Sequence, residues 1–171
     1  MNRLAVIGHP VAHSLSPAMH TAAFEALGIA GEWSYEAIDI EPARFAEGIA
    51  GLRDRGFAGV NVTVPHKRAA FEIADERSDA VAAIGAANTL TFASGRIRAD
   101  NTDASGLIAA LPPEFDAGGA EILVLGAGGS ARAAVWALDR AGARVTIANR
   151  TERKAIDLAC SSSSRRSIPK S

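Results

Sequence analysis

The stretch I-L-V-L-G-A-G-G-S-A-R, residues 122–132, decides the fold of the second half of the chain. Its apolar start predicts a strand and its end opens a helix, with Gly126, Gly128 and Ala131 in the G-x-G-x-x-G/A pattern between them. The first glycine permits a tight turn, the second lets the backbone approach a pyrophosphate, and the small third residue lets helix and strand pack closely. In this context the pattern favours a dinucleotide-binding loop over a purely structural glycine turn.

The residues after the next strand indicate which dinucleotide would bind. About 20 residues beyond the loop, where NAD-binding domains carry an acid for the ribose 2′-hydroxyl, the sequence has Asn149, Arg150 and Thr151. Arg150 can pair with a 2′-phosphate that an acid would repel. Alternatively, these basic residues form only a solvated charge cluster at the start of a helix. Their position after this strand, where the cofactor ribose is expected, favours NADP binding. The expected cofactor residues are Gly126, Ala127, Gly128, Gly129, Ser130, Asn149, Arg150, Thr151, Arg153 and Lys154.

Working outward from this loop, strands and helices alternate along the chain. Apolar runs bounded by glycine or proline predict strands, and runs of helix formers ending in glycine predict helices. The β-α-β-α-β order at the start indicates a parallel sheet covered by helices. Strands are expected at 3–8, 32–40, 57–64, 89–92, 96–99, 121–125 and 144–148, with a hairpin turn at Ser94-Gly95. Helices are expected at 18–27, capped by Ser16, and at 42–55, 65–74, 79–84, 104–111, 130–141 and 151–159.

Composition excludes several classes of protein. The 171 residues are 48% hydrophobic and 22% charged, with a net charge of −1, which is ordinary for a globular protein. Such a charge attracts neither nucleic acid nor an anionic membrane, so a small-molecule ligand is favoured. The apolar run at 4–7 is too short for a signal peptide or a membrane span. The single cysteine, Cys160, allows no internal disulfide, which suits a reducing cytoplasm.

The histidines offer a metal site as an alternative. His9 and His13 are four residues apart, but Pro10 keeps them off one helical face, and no Cys or acid is spaced to complete a ligand set. We therefore expect no metal, and we expect these two histidines to hydrogen-bond within a loop.

Four polar segments stand where predicted strands end. They are 13–17, 61–67, 87–89 and 100–103, and they supply hydroxyls, amides, carboxylates and one ammonium group, that of Lys67. Because loops at the carboxyl ends of strands converge in an open α/β sheet, these groups can surround one polyhydroxylated acid. Singly, each can be explained as a cap or a turn, although a lysine at a helix start opposes the helix dipole. Together they favour a binding site.

These motifs resemble those of the shikimate dehydrogenase family, and their order and spacing extend over residues 1–159. The matching motifs are G-H-P-V-A-H-S-L-S-P from Gly8, G-V-N-V-T-V-P-H-K from Gly59, I-G-A-A-N-T from Ile84, D-N-T-D-A-S-G from Asp100, G-A-G-G-S-A-R from Gly126 and N-R-T from Asn149. The resemblance implies a reversible NADPH-dependent reduction of 3-dehydroshikimate to shikimate, in the chorismate route to the aromatic amino acids.

The resemblance also implies roles for single residues. Lys67 is expected to be the catalytic acid or base, acting together with Asp103 at the hydroxyl that is oxidised. The chemistry fits, because hydride transfer to a carbonyl carbon requires a positioned proton donor for the oxygen. Asp79 matches a family position near the cofactor. The residues expected to bind shikimate are Ser14, Ser16, Thr63, Lys67, Asn88 and Asp103.

Two related enzyme classes are alternatives. Quinate-preferring members of the family have other residues in the segment that corresponds to 13–17, called the serine loop here, and after the second Rossmann strand. Ser14 and Ser16, together with 149–151, therefore favour shikimate and NADP over quinate and NAD. Methylene-tetrahydrofolate dehydrogenase also uses a lysine, but it lacks the S-L-S-P and N-T-D combination.

The expected fold class is α/β, with a mainly parallel-sheet N-terminal domain followed by an incomplete, doubly wound Rossmann domain. The shikimate-binding catalytic domain is expected over 1–103, a linker helix and the first part of the NADP-binding domain over 104–159, and a tail over 160–171. The tail has six serines, three basic residues and no acid, which is the composition of a disordered or frameshifted segment.

The short second domain makes a truncated, catalytically inactive fragment the main alternative, one that retains at most weak substrate binding. A doubly wound domain needs two βαβαβ halves, and the sequence up to 159 supplies two strands of them. Unpaired strand edges in such a half-built sheet predict aggregation or association with a partner. For the family's enzyme itself we expect a monomer or a homodimer.

Overall fold

The computed structural model describes residues 1–161, which form eight strands and seven α-helices. The strands are β1 Asn2–Gly8, β2 Trp33–Asp39, β3 Phe57–Val62, β4 Glu76–Arg77, β5 Thr89–Ala93, β6 Arg96–Asp100, β7 Glu121–Leu125 and β8 Arg144–Ala148. The helices are α1 Ser16–Ala26, α2 Phe45–Asp54, α3 Lys67–Ile73, α4 Asp79–Ile84, α5 Asp103–Ala110, α6 Gly129–Arg140 and α7 Glu152–Ser161. The α/β class predicted from the sequence is confirmed.

The first sheet has six strands in the order β2-β1-β3-β5-β6-β4. Three of its five pairings are parallel, and the β5–β6 hairpin supplies the two antiparallel ones. The hairpin turns at Ser94 and Gly95, whose φ angles of 51° and 75° are those of a tight hairpin turn. Strand β4, only two residues long, was not predicted because it carries no hydrophobic pattern.

Helices cover the two faces of this sheet unequally. On one face, apolar residues of α2 and α3, including Phe45, Ile49 and Ala70, pack on strand residues such as Ile7 and Val62 to form the main core. On the other face, α1 has no buried residue and contacts a smaller cluster through Phe24. The α1 face therefore stays open next to the carboxyl edge of the sheet.

Two helix starts differ from the prediction. Leu15 rather than Ser16 is the residue before α1, and no side chain caps that helix. Helix α3 begins at Lys67 rather than at Pro65, because the backbone first turns, with the His66 N–H donating to the Thr63 carbonyl at 2.9 Å. This turn brings the lysine to the first position of the helix.

The second sheet consists of β7 and β8, paired in parallel. One of its faces packs on α6 and α7 through residues that include Val135, Val145 and Leu158. The other face is open, and Leu123 and Leu125 expose 58% and 77% of their surface. Helix α7 continues to Ser161, two residues into the segment assigned to the tail, and the rest of that segment lies outside the described residues.

Helix α6 joins the two halves of the molecule. Its residues Ala133 and Ala137 pack with Ile84, Ala86 and Ala104 in a small apolar cluster. The N-terminus of α6 is thereby fixed against the edge of the first sheet where the predicted polar loops lie. Within residues 1–161, no helix combines the length and the hydrophobicity needed to cross a bilayer.

Candidate active site

Lys67 and Asp103 form an ion pair at the carboxyl edge of the first sheet. Lys67 follows β3 and Asp103 follows β6, two strands that run in the same direction because β5 lies antiparallel between them. The Lys67 Nζ donates to Asp103 Oδ2 at 2.7 Å, and the two side chains are only 12% and 25% exposed. The two residues expected to carry the chemistry thus lie in direct contact.

Asn88 fixes the free oxygen of the Asp103 carboxylate. It precedes β5, whose antiparallel direction brings the start of that strand to the same edge. Its Nδ2 donates to Asp103 Oδ1 at 2.9 Å and to Thr102 Oγ1 at 2.8 Å, and its Oδ1 accepts from the Thr102 N–H at 2.9 Å. Both the nitrogen and the oxygen of the Asn88 amide are therefore hydrogen-bonded, which fixes its orientation. The Asp103 carboxylate is held by Lys67 and Asn88.

Asn101 determines where the helix carrying Asp103 begins. The residue is buried, its Oδ1 accepts from the N–H groups of Asp103 at 3.0 Å and Ala104 at 3.4 Å, and its Nδ2 donates to the Ala86 carbonyl at 2.9 Å. Sequence reasoning gave Asn101 only a turn role. An asparagine two residues before a helix-opening acid is the signal that could have indicated this anchoring function.

The serine loop lies over the end of β1, on the open α1 side. Ser16, predicted to cap α1, instead donates its backbone N–H to Ser14 Oγ at 3.3 Å. The Asp39 carboxylate ties the loop down by accepting from His9 Nδ1 at 2.6 Å and from the Val11 N–H at 3.2 Å. The hydrogen bond from His9 is the main reason that the pKa of Asp39 lies below its ordinary value.

Thr63 lies closely against Gly8, the last residue of β1, the strand that precedes the serine loop. A Cβ added to Gly8 would lie 2.6 Å from Thr63 Cγ2, so a side chain at position 8 would separate the two segments. The Thr63 N–H also donates to the Ile7 carbonyl at 2.9 Å. Glycine at position 8 thus allows Thr63 to lie against the end of β1.

The glycine loop of the second half meets Lys67 directly. The Lys67 Nζ donates to Ser130 Oγ at 3.1 Å. A Cβ added to Gly129 would lie 2.5 Å from Lys67 Cβ, so only glycine permits this approach. Between the two halves lies a cleft of about 420 Å³ lined by Thr102, Asp103, Gly106, Leu107, Ser130 and Ala134.

The rest of the glycine loop has the geometry that a pyrophosphate requires. Gly126 has a φ of +118°, and its N–H donates to the Ala148 carbonyl at 2.7 Å, which sets the tight turn beside the end of β8. A Cβ on Gly128 would meet nothing within 4 Å, so the backbone there faces open space. The first turn of the twelve-residue helix α6 follows at once and offers its N–H groups to an anion.

The remaining predicted cofactor residues cluster at the end of β8, except for Asp79. Asn149 Nδ2 donates to the Thr151 carbonyl at 2.8 Å and closes a turn from which the exposed Arg150 projects. Arg153 and Lys154 follow on the exposed first turn of α7. Asp79 is exposed at the start of α4 and contributes to no contact described between the first sheet and the glycine loop.

Two family models match the chain. Residues 6–90 match the model described as shikimate dehydrogenase substrate binding domain. Residues 112–169 match the model described as shikimate / quinate 5-dehydrogenase. The chain belongs to the shikimate dehydrogenase family. The match of the first model contains Lys67 and Asn88, and that of the second contains the glycine loop.

Curated relatives support the family at high identity. The chain is 47% identical to shikimate dehydrogenase (NADP(+)) of Methanothermobacter thermautotrophicus, over 88% of this chain and 53% of that protein. It is 49% identical to the enzyme of the same name from Methanocella arvoryzae, over 93% of this chain and 58% of that protein. The chain therefore spans a little over half the length of these relatives.

Solved structures of the family have the same fold. Shikimate dehydrogenase from Aquifex aeolicus superposes with a TM-score of 0.88 at 37% identity, covering 95% of this chain and 60% of that one. The enzyme from Thermus thermophilus, solved in complex with NADP(H) and shikimate, gives a TM-score of 0.84 at 46% identity, covering 94% of this chain and 60% of that one. The α/β architecture with a substrate domain and a Rossmann-like part is thus shared with the family.

Proposed function

We propose that the chain carries the catalytic site of an NADP-dependent shikimate dehydrogenase, which reversibly reduces 3-dehydroshikimate to shikimate. The observation that carries the proposal is the contact of Lys67 with both Asp103 and Ser130. It brings the proton-transferring group of the first half against the cofactor loop of the second. A carbonyl bound at Lys67 would then lie next to the cleft in which a nicotinamide ring could be placed.

Lys67 is the proposed acid and base. Of the three N–H donors of its ammonium group, one is used by Asp103 and one by Ser130, which leaves one for a substrate oxygen. In the direction of reduction, Lys67 gives a proton to the oxygen while the carbon receives a hydride; in the reverse direction it takes the proton from the hydroxyl. Asp103 orients the ammonium group and can accept a hydrogen bond from the same or a neighbouring hydroxyl.

The substrate is proposed to bind on the open α1 side of the first sheet. Ser14, Ser16 and Thr63 supply hydroxyl groups there, and Asn88 holds the Asp103 carboxylate at the site. Donors of this kind suit a carboxylate, and groups that both donate and accept suit ring hydroxyls. The serine pair favours shikimate over quinate, a choice that the description of the second family model leaves open.

The cofactor is proposed to be NADP. When bound, NADP(H) supplies the hydride that moves to or from the substrate carbon. The open backbone at Gly128 and the free N–H groups of α6 suit the pyrophosphate, and exposed Arg150 suits a 2′-phosphate because a guanidinium pairs bidentately with phosphate. Asn149 and Thr151 shape the turn that presents Arg150.

The cellular setting follows from the proposed reaction. Shikimate would pass on to chorismate and the aromatic amino acids. We propose a cytoplasmic location, since the single cysteine suits a reducing compartment. We also propose that the family's enzyme works as a monomer or a homodimer.

The test is an assay of the purified 171-residue chain with shikimate and NADP, followed by NADPH absorbance. Lys67→Ala is expected to lower kcat roughly 10²- to 10⁴-fold, the usual contribution of a general acid or base. Arg68→Ala is the matched control, because Arg68 is the next residue on α3 and its side chain is 65% exposed. Absence of activity in the unaltered chain, or equal activity in Lys67→Ala, would contradict the proposal for this chain.

A further inference from the structure

A connected set of polar side chains runs beneath the open side of the site, starting from Tyr35 in β2. The Tyr35 hydroxyl donates to Asn61 Oδ1 at 2.7 Å, and Asn61 Nδ2 donates to Thr89 Oγ1 at 3.4 Å. Thr89 Oγ1 in turn donates to Asn88 Oδ1 at 3.1 Å. Through Asn88 the set reaches the carboxylate of Asp103. None of the roles given above to the site residues accounts for Tyr35.

Tyr35 is held firmly in its position. The residue is 9% exposed, and its ring stacks on that of His20 at a centroid distance of 4.0 Å and an angle of 10°. Burial raises the pKa of the Tyr35 hydroxyl to about 12, against a smaller lowering by a hydrogen bond from the Ser16 side chain. The hydroxyl therefore stays protonated at neutral pH and donates to Asn61.

The bond from Tyr35 decides which way the Asn61 amide points. Because Asn61 Oδ1 is used as the acceptor, Nδ2 must point away from Tyr35, towards Thr89 and the edge of the sheet. The Asn61 side chain leaves β3 on the face opposite to Val60 and Val62, which are buried in the main core. That face is the one shared with Tyr35 and the serine loop. An amide donor fixed there is well placed for an oxygen of a bound acid.

We propose that Tyr35 is a positioning residue of the substrate site, which sets the amide of Asn61 for recognition of shikimate. This inference rests on the proposed function. Tyr35 acts through Asn61 and not as a proton relay, because the amides of Asn61 and Asn88 interrupt any path of exchangeable hydroxyl protons to Lys67. Its removal should therefore affect substrate binding rather than proton transfer.

The experiment measures shikimate binding to the full 171-residue chain by NMR titration, for the unaltered chain, Tyr35→Phe, Asn61→Ala and the double variant. Tyr35→Phe keeps the ring stacked on His20 and removes only the hydroxyl. It is expected to raise the Kd for shikimate roughly 3- to 10-fold, the effect of one lost hydrogen bond. Because Tyr35 acts largely through Asn61, the double variant should bind about as weakly as Asn61→Ala alone.

Thr91→Val is the matched control, since it removes a hydroxyl from an exposed site on β5, two residues beyond Thr89. It should leave the Kd unchanged. In turnover assays Tyr35→Phe should raise KM for shikimate and leave kcat and the pH profile of kcat unchanged.

Three outcomes would overturn the inference. If the unaltered chain binds no shikimate, the proposed function fails and the role of Tyr35 fails with it. If the unaltered chain binds but Tyr35→Phe binds equally well, only the role of Tyr35 is wrong. If the effects of Tyr35→Phe and Asn61→Ala simply add, Tyr35 contributes through general stability and not through the amide.

Discussion

The polar residues of the first sheet and those of the second differ in how firmly the protein holds them. Asn88 and Asp103 are each fixed by several side-chain hydrogen bonds before any ligand binds. Arg150 and Lys154, by contrast, lie on the surface at the end of β8. The proposed substrate side is thus preorganised, which reduces the entropy lost on binding, whereas the proposed cofactor side would be ordered by its ligand. Substitutions in the two regions should therefore have different signatures.

The largest difference is expected between two neighbouring glycines. Gly129→Ala places a Cβ 2.5 Å from Lys67 Cβ, so either the lysine or the whole loop must move. A displacement of this size at a catalytic group is expected to lower kcat roughly 100-fold. Gly128→Ala meets nothing within 4 Å and should raise the KM for NADP with a much smaller loss of kcat. Steady-state kinetics of both variants provide the comparison.

The glycine pair would also show where the boundary between the two regions lies. If Gly129→Ala changed only the KM for NADP, its contact with Lys67 would be without catalytic consequence. If both variants lowered kcat equally, the loop would act as a single element. Either result would mean that the region around Lys67 and the glycine loop do not differ in how firmly they are held where they meet, at Gly129.

The second expected effect concerns Arg150 alone. Arg150→Ala should raise the KM for NADP roughly 10- to 100-fold, since a hydrogen-bonded pair with a charged group is typically worth about 1.5–3 kcal/mol. The KM for NAD should change little, because NAD has no 2′-phosphate. Arg144→Ala is the control, since Arg144 lies at the other end of β8 and pairs with Glu121 at 2.8 Å. An equal loss for NAD and NADP would contradict the assignment.

Local patterns predicted most elements of the fold correctly. The helix over Asp79–Ile84 and the strands Glu121–Leu125 and Arg144–Ala148 agree with the structure at both ends. They are bounded by residues whose conformational preferences are strong, such as Gly142 with its φ of +88°. A boundary was wrong at Lys67, where a local backbone turn from Thr63 to His66 precedes the helix.

The sequence predicted residues for the candidate site, but it could not predict the contacts between them. Lys67 and Asp103 are 36 residues apart in sequence, and only the antiparallel β5 between their strands brings them together. The role of Tyr35 could not be derived from a pattern, because it depends on Asn61, a partner in a distant element. Residues that act through others leave little signal in one sequence, whereas residues that meet a ligand stand in polar motifs.

The open face of β7 gives a third test of the difference between the first and the second sheet. Leu125 is 77% exposed, and β7 pairs only with β8 among the strands described. The 171-residue chain is therefore expected to associate at high concentration, as measured by light scattering. Leu125→Lys should weaken association roughly 10-fold, since burial of a leucine is worth about 1.5–3 kcal/mol. Leu27→Lys, at an equally exposed leucine away from a strand edge, should have less effect. A monomeric unaltered chain would contradict this prediction.

The smallest expected effect is a pH-dependent one on the firmly held side. His66 is 2% exposed, its Nε2 donates to the Ile40 carbonyl at 2.6 Å, and burial holds its pKa below the ordinary 6.5. Below that ordinary pKa, the unfolded chain binds a proton at His66 that the folded chain does not, so this histidine lowers the stability as the pH falls. His66→Gln keeps a donor for Ile40 but does not titrate. It should cost about 1 kcal/mol near pH 7.5, and its deficit should shrink towards about pH 5.5.

Thermal unfolding of the unaltered chain and of His66→Gln across this pH range measures the difference directly. His13→Gln is the control, because it makes the same substitution at an exposed histidine, where it should cost little stability. Parallel profiles for the unaltered chain and His66→Gln would mean that water reaches His66 as easily as it reaches the surface. The turn from Thr63 to His66, which precedes Lys67, would then be as accessible to solvent as the exposed residues at the end of β8. If the stability difference between the two chains instead shrinks as the pH falls, His66 stays buried in the folded chain. The proposed catalytic residue Lys67 then directly follows a firmly buried side chain.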